Sequence, residues 1–318
     1  MSSESVSLLL AALNDIDSEA TAAWLQWRGA VDIQHLTWTE MQMLAILNGP
    51  RLEEWLLDDP SAGVLKGIVR RSWSEAQIRL ALAREVAETV ILAGCGSVTH
   101  IGAVGAYLRN LKATSIRPIL EIRLLIPRCH LATSAKALQV EGWQSDFDVP
   151  SGEDLDWNTS MYFSRNGAGV FLHWSVLRVE ADRAIACEDD FLSEHRILET
   201  IGTRFQILSP EHALLEALCE RDTSVDVVPW QADAALILRE PIGWDRWTTL
   251  AAKFQRTVFA RIPELRAMGF KIPELQIPPV EAAPAVWREP RSLARAIRTC
   301  RRAVGRCVRR ISAVMVRS

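Results

Sequence analysis

The stretch RPILEIRLLIP, Arg117 to Pro127, constrains this chain more than any other. Leu120, Ile122, Leu124 and Ile126 fall on one side of an extended backbone, and Ile119, Glu121, Arg123 and Leu125 on the other. That two-residue period predicts a β-strand from Arg117, with Pro127 able to close it. One side is wholly apolar. The other carries an acid and a base two residues apart, the spacing that puts both side chains on one face of a strand.

The periods on either side differ. SLLLAALNDI, TWTEMQMLAIL, RLEEWLL and SEAQIRLALAREVAETVILA carry three-to-four spacing and predict a helical region over residues 1–92. Asn48-Gly49-Pro50 and Asp58-Asp59-Pro60 punctuate it. VLKGIVRRSW reads as a short helix or strand, and its Lys66-Gly67 lacks the glycine-rich lead of a P-loop. Residues 93–187 read as a small α/β core. GCGSVTHIGAVGAYLRNL is rich in glycine and ends in a short helical piece. The strand follows, then a helix from Cys129 stopping at Gly142. DWNTSMYFS and GVFLHWSVL predict two strands around the turn Arg165-Asn166-Gly167-Ala168. Residues 188–275 predict helices again, and Ser209-Pro210 is a strong start signal within them. A proline-rich linker at 276–290 leads to a basic amphipathic helix at 291–318. The elements expected are therefore a modest α/β core of helix, strand, helix and hairpin, held between N-terminal and C-terminal helical regions.

Composition narrows the setting. Of 318 residues, 24% are charged and 49% hydrophobic, a globular balance with length for a sizeable core. No apolar run reaches membrane-spanning length, and the start of the chain has acids where a signal peptide needs a basic end. Six scattered cysteines without a CxxC pair predict free thiols, no structural zinc and a cytoplasmic setting. Residues 281–318 hold ten arginines, no lysine and two glutamates, so the body before them is acidic. The tail reads as an element that meets nucleic acid or anionic lipid, a protein partner, or the protein's own body. Its small aliphatic stripe favours protein contact, and no second motif supports nucleic acid.

The order of these signals resembles the uncharacterised nucleotidyltransferase family found in many bacteria, a branch of the polymerase-β-like nucleotidyltransferase superfamily. The resemblance spans roughly residues 85 to 265 and is carried by Arg117, LEIRLLIP, Gly142-Trp143, FLHW at 171–174, LSPEHALLEAL at 208–218, Trp230 with Asp233, and Trp244-Asp245. It implies an α+β fold, with a small mixed-sheet nucleotidyltransferase-like core flanked by N-terminal and C-terminal helical regions. In the superfamily, two carboxylates on one strand and a third on a neighbouring strand hold two divalent metals for nucleotidyl transfer.

At those three positions this chain has Glu121, Arg123 and Phe171. Arginine cannot ligate a metal, and phenylalanine offers no oxygen. The resemblance thus implies a degenerate site without a metal, in a nucleotidyltransferase-like protein that acts by binding or regulation. The ligand would be an anion or nucleotide, and its contacts would be Arg117, Arg123, His173, Gly96 and Ser97. One alternative is an active magnesium-dependent enzyme using magnesium and a nucleotide, with acids drawn from Asp146, Asp148, Glu153, Asp154 and Asp156. Another is a structural partner in a complex. For Glu121 and Arg123 the plainer reading is an ion pair; for His173, a hydrogen-bonded structural histidine. His100, Cys129 and His130 fit no standard zinc spacing.

Overall fold

The computed structural model describes residues 2–110, 115–152, 154–177, 181–200, 203–219 and 228–276. All of them lie in one compact unit, Met1–Ile277. The N-terminal, core and C-terminal regions expected from the sequence share that unit. The basic helix expected at 291–318 lies outside the described residues, as does its linker beyond Gln276.

Helices α1 (Ser2–Ala11), α2 (Asp17–Ala30), α3 (Trp38–Leu47) and α4 (Pro50–Trp55) precede the long α5 (Ala62–Leu92). VLKGIVRRSW is part of α5. Thr37 and Glu40 cap α3 reciprocally, satisfying amides that a helix start leaves without partners. Trp24 stacks on Trp55, with ring centroids 5.2 Å apart, and Trp24 and Trp27 are buried. These tryptophans therefore belong to the core of the helical region.

The sheet has strands β1 (Thr99–Ile101), β2 (Ile122–Leu125), β3 (Ser160–Arg165), β4 (Ala168–His173), β5 (His195–Thr200) and β6 (Thr203–Leu208). Their spatial order is β3-β4-β2-β1-β6-β5. β2 runs antiparallel to β1 and parallel to β4, and β1 runs parallel to β6. Asn166 (φ 50°) and Gly167 (φ 77°) turn the β3–β4 hairpin, as Asn-Gly in a two-residue loop predicts. Two expectations need correction. The strand at the opening stretch is only four residues long, because Arg117–Ile119 is irregular and Leu120-Glu121 bends. The region after 188 is not wholly helical, since β5 and β6 extend the sheet. HRILET and TRFQIL alternate poorly, and β5 is largely exposed, so no period marked them.

The chain continues through α6 (Gly102–Arg109), α7 (Leu131–Val140), α8 (Asp154–Trp157), α9 (Ala181–Ser193), α10 (Pro210–Cys219), α11 (Trp230–Ile237), α12 (Trp244–Phe254) and α13 (Ile262–Ala267). α7 is the helix expected before Gly142, which adopts φ 81°, the left-handed conformation glycine supplies at a helix end. α5 packs on α7 and β2. Ile122, Leu124, Met161, Phe163, Val170 and Leu172 are buried together in the core and form the apolar face of the sheet. The opposite face carries Arg123, Tyr162, Phe171 and His173. Among the described residues, no helix is long and apolar enough to cross a membrane.

Candidate functional site

Strand register builds the site. Arg123 on β2 stands directly beside Phe171 on β4, and Leu125 beside His173. Phe171 in turn faces Tyr162 on β3. Alternation therefore places Arg123, Phe171, His173 and Tyr162 on one face, in adjacent rows. The Tyr162 and Phe171 rings lie 4.8 Å apart, and those of Phe171 and His173 lie 6.0 Å apart. Gly169 makes room for this row, because a Cβ there would meet the Tyr162 ring at 2.9 Å. Neither ring nitrogen of His173 has a hydrogen-bond partner of good geometry. Burial first, and the Arg123 guanidinium second, push its pKa down to about 3, against a smaller opposing pull from the Ser175 backbone. The ring is a neutral imidazole at any ordinary pH.

Glu121 stands just before β2. Its Oε2 is 3.8 Å from Arg123 Nη2, and the two side chains are 12% and 16% exposed. Two divalent metals need several carboxylate oxygens. At the positions the resemblance assigns to acids, this face offers one carboxylate, one permanent cation and one aromatic ring. That donor set does not fit a metal pair. No group of three or more His, Cys, Asp or Glu among the described residues is arranged to hold a metal ion.

Beside Arg123 lies the start of α6. Gly102 has φ 60°, and a Cβ there would meet Arg123 Cδ at 3.0 Å. Its amide donates to Glu216 Oε1 at 2.9 Å. A helix N-terminus favours an anion, and here a carboxylate from α10 supplies it. Glu216 had stood in the sequence only as part of LSPEHALLEAL. No local signal connects it to a glycine 114 residues earlier.

The other candidates go elsewhere. Arg117 is fully buried. Its Nε and Nη2 donate to Asp233 Oδ1 and Oδ2 at 2.5 and 2.9 Å, and its Nη1 to the Pro118 carbonyl at 2.7 Å. Two landmarks of the resemblance are thus partners in one buried pair. Gly96 and Ser97 precede β1, whose first residue, Thr99, pairs with Leu125; Arg123 pairs with Ile101 at the other end. Ser97 Oγ accepts from Gln206 Nε2 at 2.8 Å. Asp156 pairs with Arg128 at 2.5 Å, past the C-terminal end of β2. His100 Nδ1 donates to the Gln206 carbonyl at 3.2 Å, and the residue is buried.

The six-stranded mixed sheet, the parallel β2–β4 pair and the flanking helices define a nucleotidyltransferase-like core. The chain belongs to the family described as "Uncharacterised nucleotidyltransferase", whose match covers residues 102–262, just over half of the sequence. No curated protein matches the chain.

Proposed function

We infer that this protein is a nucleotidyltransferase-like protein that does not perform metal-dependent nucleotidyl transfer and acts by binding a ligand or regulating a partner. The observation that supports this reading is the register of Arg123 against Phe171. It puts a guanidinium and a phenyl ring side by side at the positions the family resemblance assigns to carboxylates. The rival, transfer through the acids around Asp154, meets a distance problem. Asp156 is held by Arg128, whereas Glu121 precedes β2, and the strand between them spans roughly 13 Å at about 3.3 Å per residue. A cytoplasmic setting agrees with the free cysteines Cys95, Cys129, Cys187 and Cys219. Burial pushes the Cys187 and Cys219 thiols up to about 12, so neither is a nucleophile near neutrality.

Calorimetric titration with manganese, with and without ATP, tests the reading. The expected result is no two-ion binding in the wild type and measurable manganese affinity in Arg123→Asp combined with Phe171→Glu. Two ions bound near Glu121 in the wild type would overturn it.

A further inference from the structure

A second depression lies at the other end of the sheet, where β5 forms the edge beyond β6. Its volume is about 410 Å³, and its walls include Arg109, Arg196, Leu198, Arg239, Glu240 and Pro241. Arg109 closes α6 and lies deepest, with its side chain 2% exposed. Arg196 and Arg239 reach solvent at the rim.

The walls carry three guanidiniums and one carboxylate. Arg109 Nη1 is 3.2 Å from Glu240 Oε1, and Arg196 Nη1 pairs with Glu240 Oε2. Arg109 Nη2 donates to the Leu208 carbonyl. Arg239 Nη1 donates to the neutral Ser115 hydroxyl at 2.8 Å. The walls themselves hold three cations against one anion, while from outside them Glu216 acts on Arg109 and Asp15 on Arg239. Neighbouring cations crowd two of them: burial first and then, more weakly, Arg196 lower the pKa of Arg109 against the pull of Glu240 and Glu216, and burial first and then Arg51, outside the walls, lower that of Arg239 against Asp15. Arginine cannot relieve such crowding by losing its proton. It relieves it by taking an anion, and guanidinium forks match phosphate oxygens. A network serving only to tie β5 to the segment after α11 would need Arg109, Arg196 and Glu240; Arg239, bonded to Ser115, brings a further cation to the same walls. The volume falls in the range of small-molecule sites.

We propose that this depression binds a small phosphorylated molecule, its phosphate held by Arg196 and Arg239 above Arg109 and its body against Leu198 and Pro241. The site is separate from the Arg123 face, because β1 and β6 stand between β2 and β5.

Calorimetry of the full chain at low ionic strength with inorganic phosphate, pyrophosphate and AMP tests this. AMP is expected to bind more tightly than inorganic phosphate, and added salt to weaken both. Arg196→Gln and Arg239→Gln should each weaken AMP about tenfold, the order of one charge-assisted hydrogen bond. Glu240→Gln removes the internal competitor and should tighten AMP, a gain that misfolding cannot imitate. Arg204→Gln, which removes an exposed pair with Glu199 outside both sites, should leave binding unchanged. Absence of binding at millimolar ligand, or wild-type affinity in the Arg196→Gln/Arg239→Gln double variant, overturns the proposal. So does loss of binding in Arg204→Gln alone, which would show that general surface charge rather than this depression holds the anion. Equal affinity for inorganic phosphate and AMP removes the role of Leu198 and Pro241 and reduces the site to a bare anion site, which also overturns it.

Discussion

Replacing Arg117 by alanine leaves the Asp233 carboxylate buried without the bidentate partner it has now. An isolated buried charge costs far more than the pair itself contributes. Arg117→Ala and Asp233→Ala are each expected to lower unfolding stability by about 3–5 kcal/mol. Arg117→Met with Asp233→Leu should restore most of that, since apolar side chains fill the space without a charge. Urea denaturation measures it, and a loss below about 1 kcal/mol in the single variants would mean the pair behaves as an exposed one. Each residue was visible in the sequence as a separate landmark. Their partnership was not, because 116 residues separate them and a contact of that range leaves no period. Arg117, expected to contact a ligand, has its guanidinium engaged by Asp233 inside the fold, and Arg123 is the arginine of the two on the sheet face beside Phe171.

At the scale of an element, α6 is the informative helix. It begins directly after β1 at a glycine with φ 60°, and its macrodipole presents positive potential there. Glu216 meets that end through the Gly102 amide, so α10 holds α6 by charge as well as by packing. Glu216→Ala is expected to cost about 1–2 kcal/mol, as loss of a helix cap does, and to speed hydrogen exchange of the first α6 amides. Glu216→Gln keeps an acceptor and should cost less than half as much. Equal losses in the two variants would show that packing of the side chain, rather than its interaction with the helix start, carries the effect.

At the scale of the molecule, two buried histidines, His100 and His212, and the half-buried His173 shape the acid response. Burial is the largest cause in each: His100 and His212 are pushed down to about 4 and His173 to about 3. In the unfolded chain each takes its proton near pH 6.5; in the folded chain each stays neutral until far lower pH. Between those values the unfolded state binds more protons, so stability falls as pH drops from about 6.5 toward about 4. His100 and His212, both nearly inaccessible, each contribute up to about 1.4 kcal/mol per pH unit in that window. Denaturation at pH 7, 6 and 5 should show this decline, and His212→Gln should flatten it by about one proton's worth. A stability independent of pH across that range would mean the histidines are charged or exposed in the folded protein.

Local chemistry determined much of the frame. Alternation marked β2 and its apolar side, Asn166-Gly167 marked the hairpin, Gly142 ended α7, and Ser209-Pro210 started α10. Each signal acts within a few residues, through backbone preference or the period of a single element, so the residues themselves carry it. The resemblance placed Arg123 and Phe171 at related positions, and the strand register set them side by side. Only tertiary structure decided the rest. β1 is three residues long and is a strand because β2 and β6 flank it. β5 and β6 took an irregular sequence into the sheet through hairpin pairing. The Arg117–Asp233 pair, the Glu216 cap on Gly102 and the arginine cluster around Glu240 join residues far apart in the chain. Their energy comes from desolvated charges brought together by packing, and a sequence records the charges but not which of them will meet.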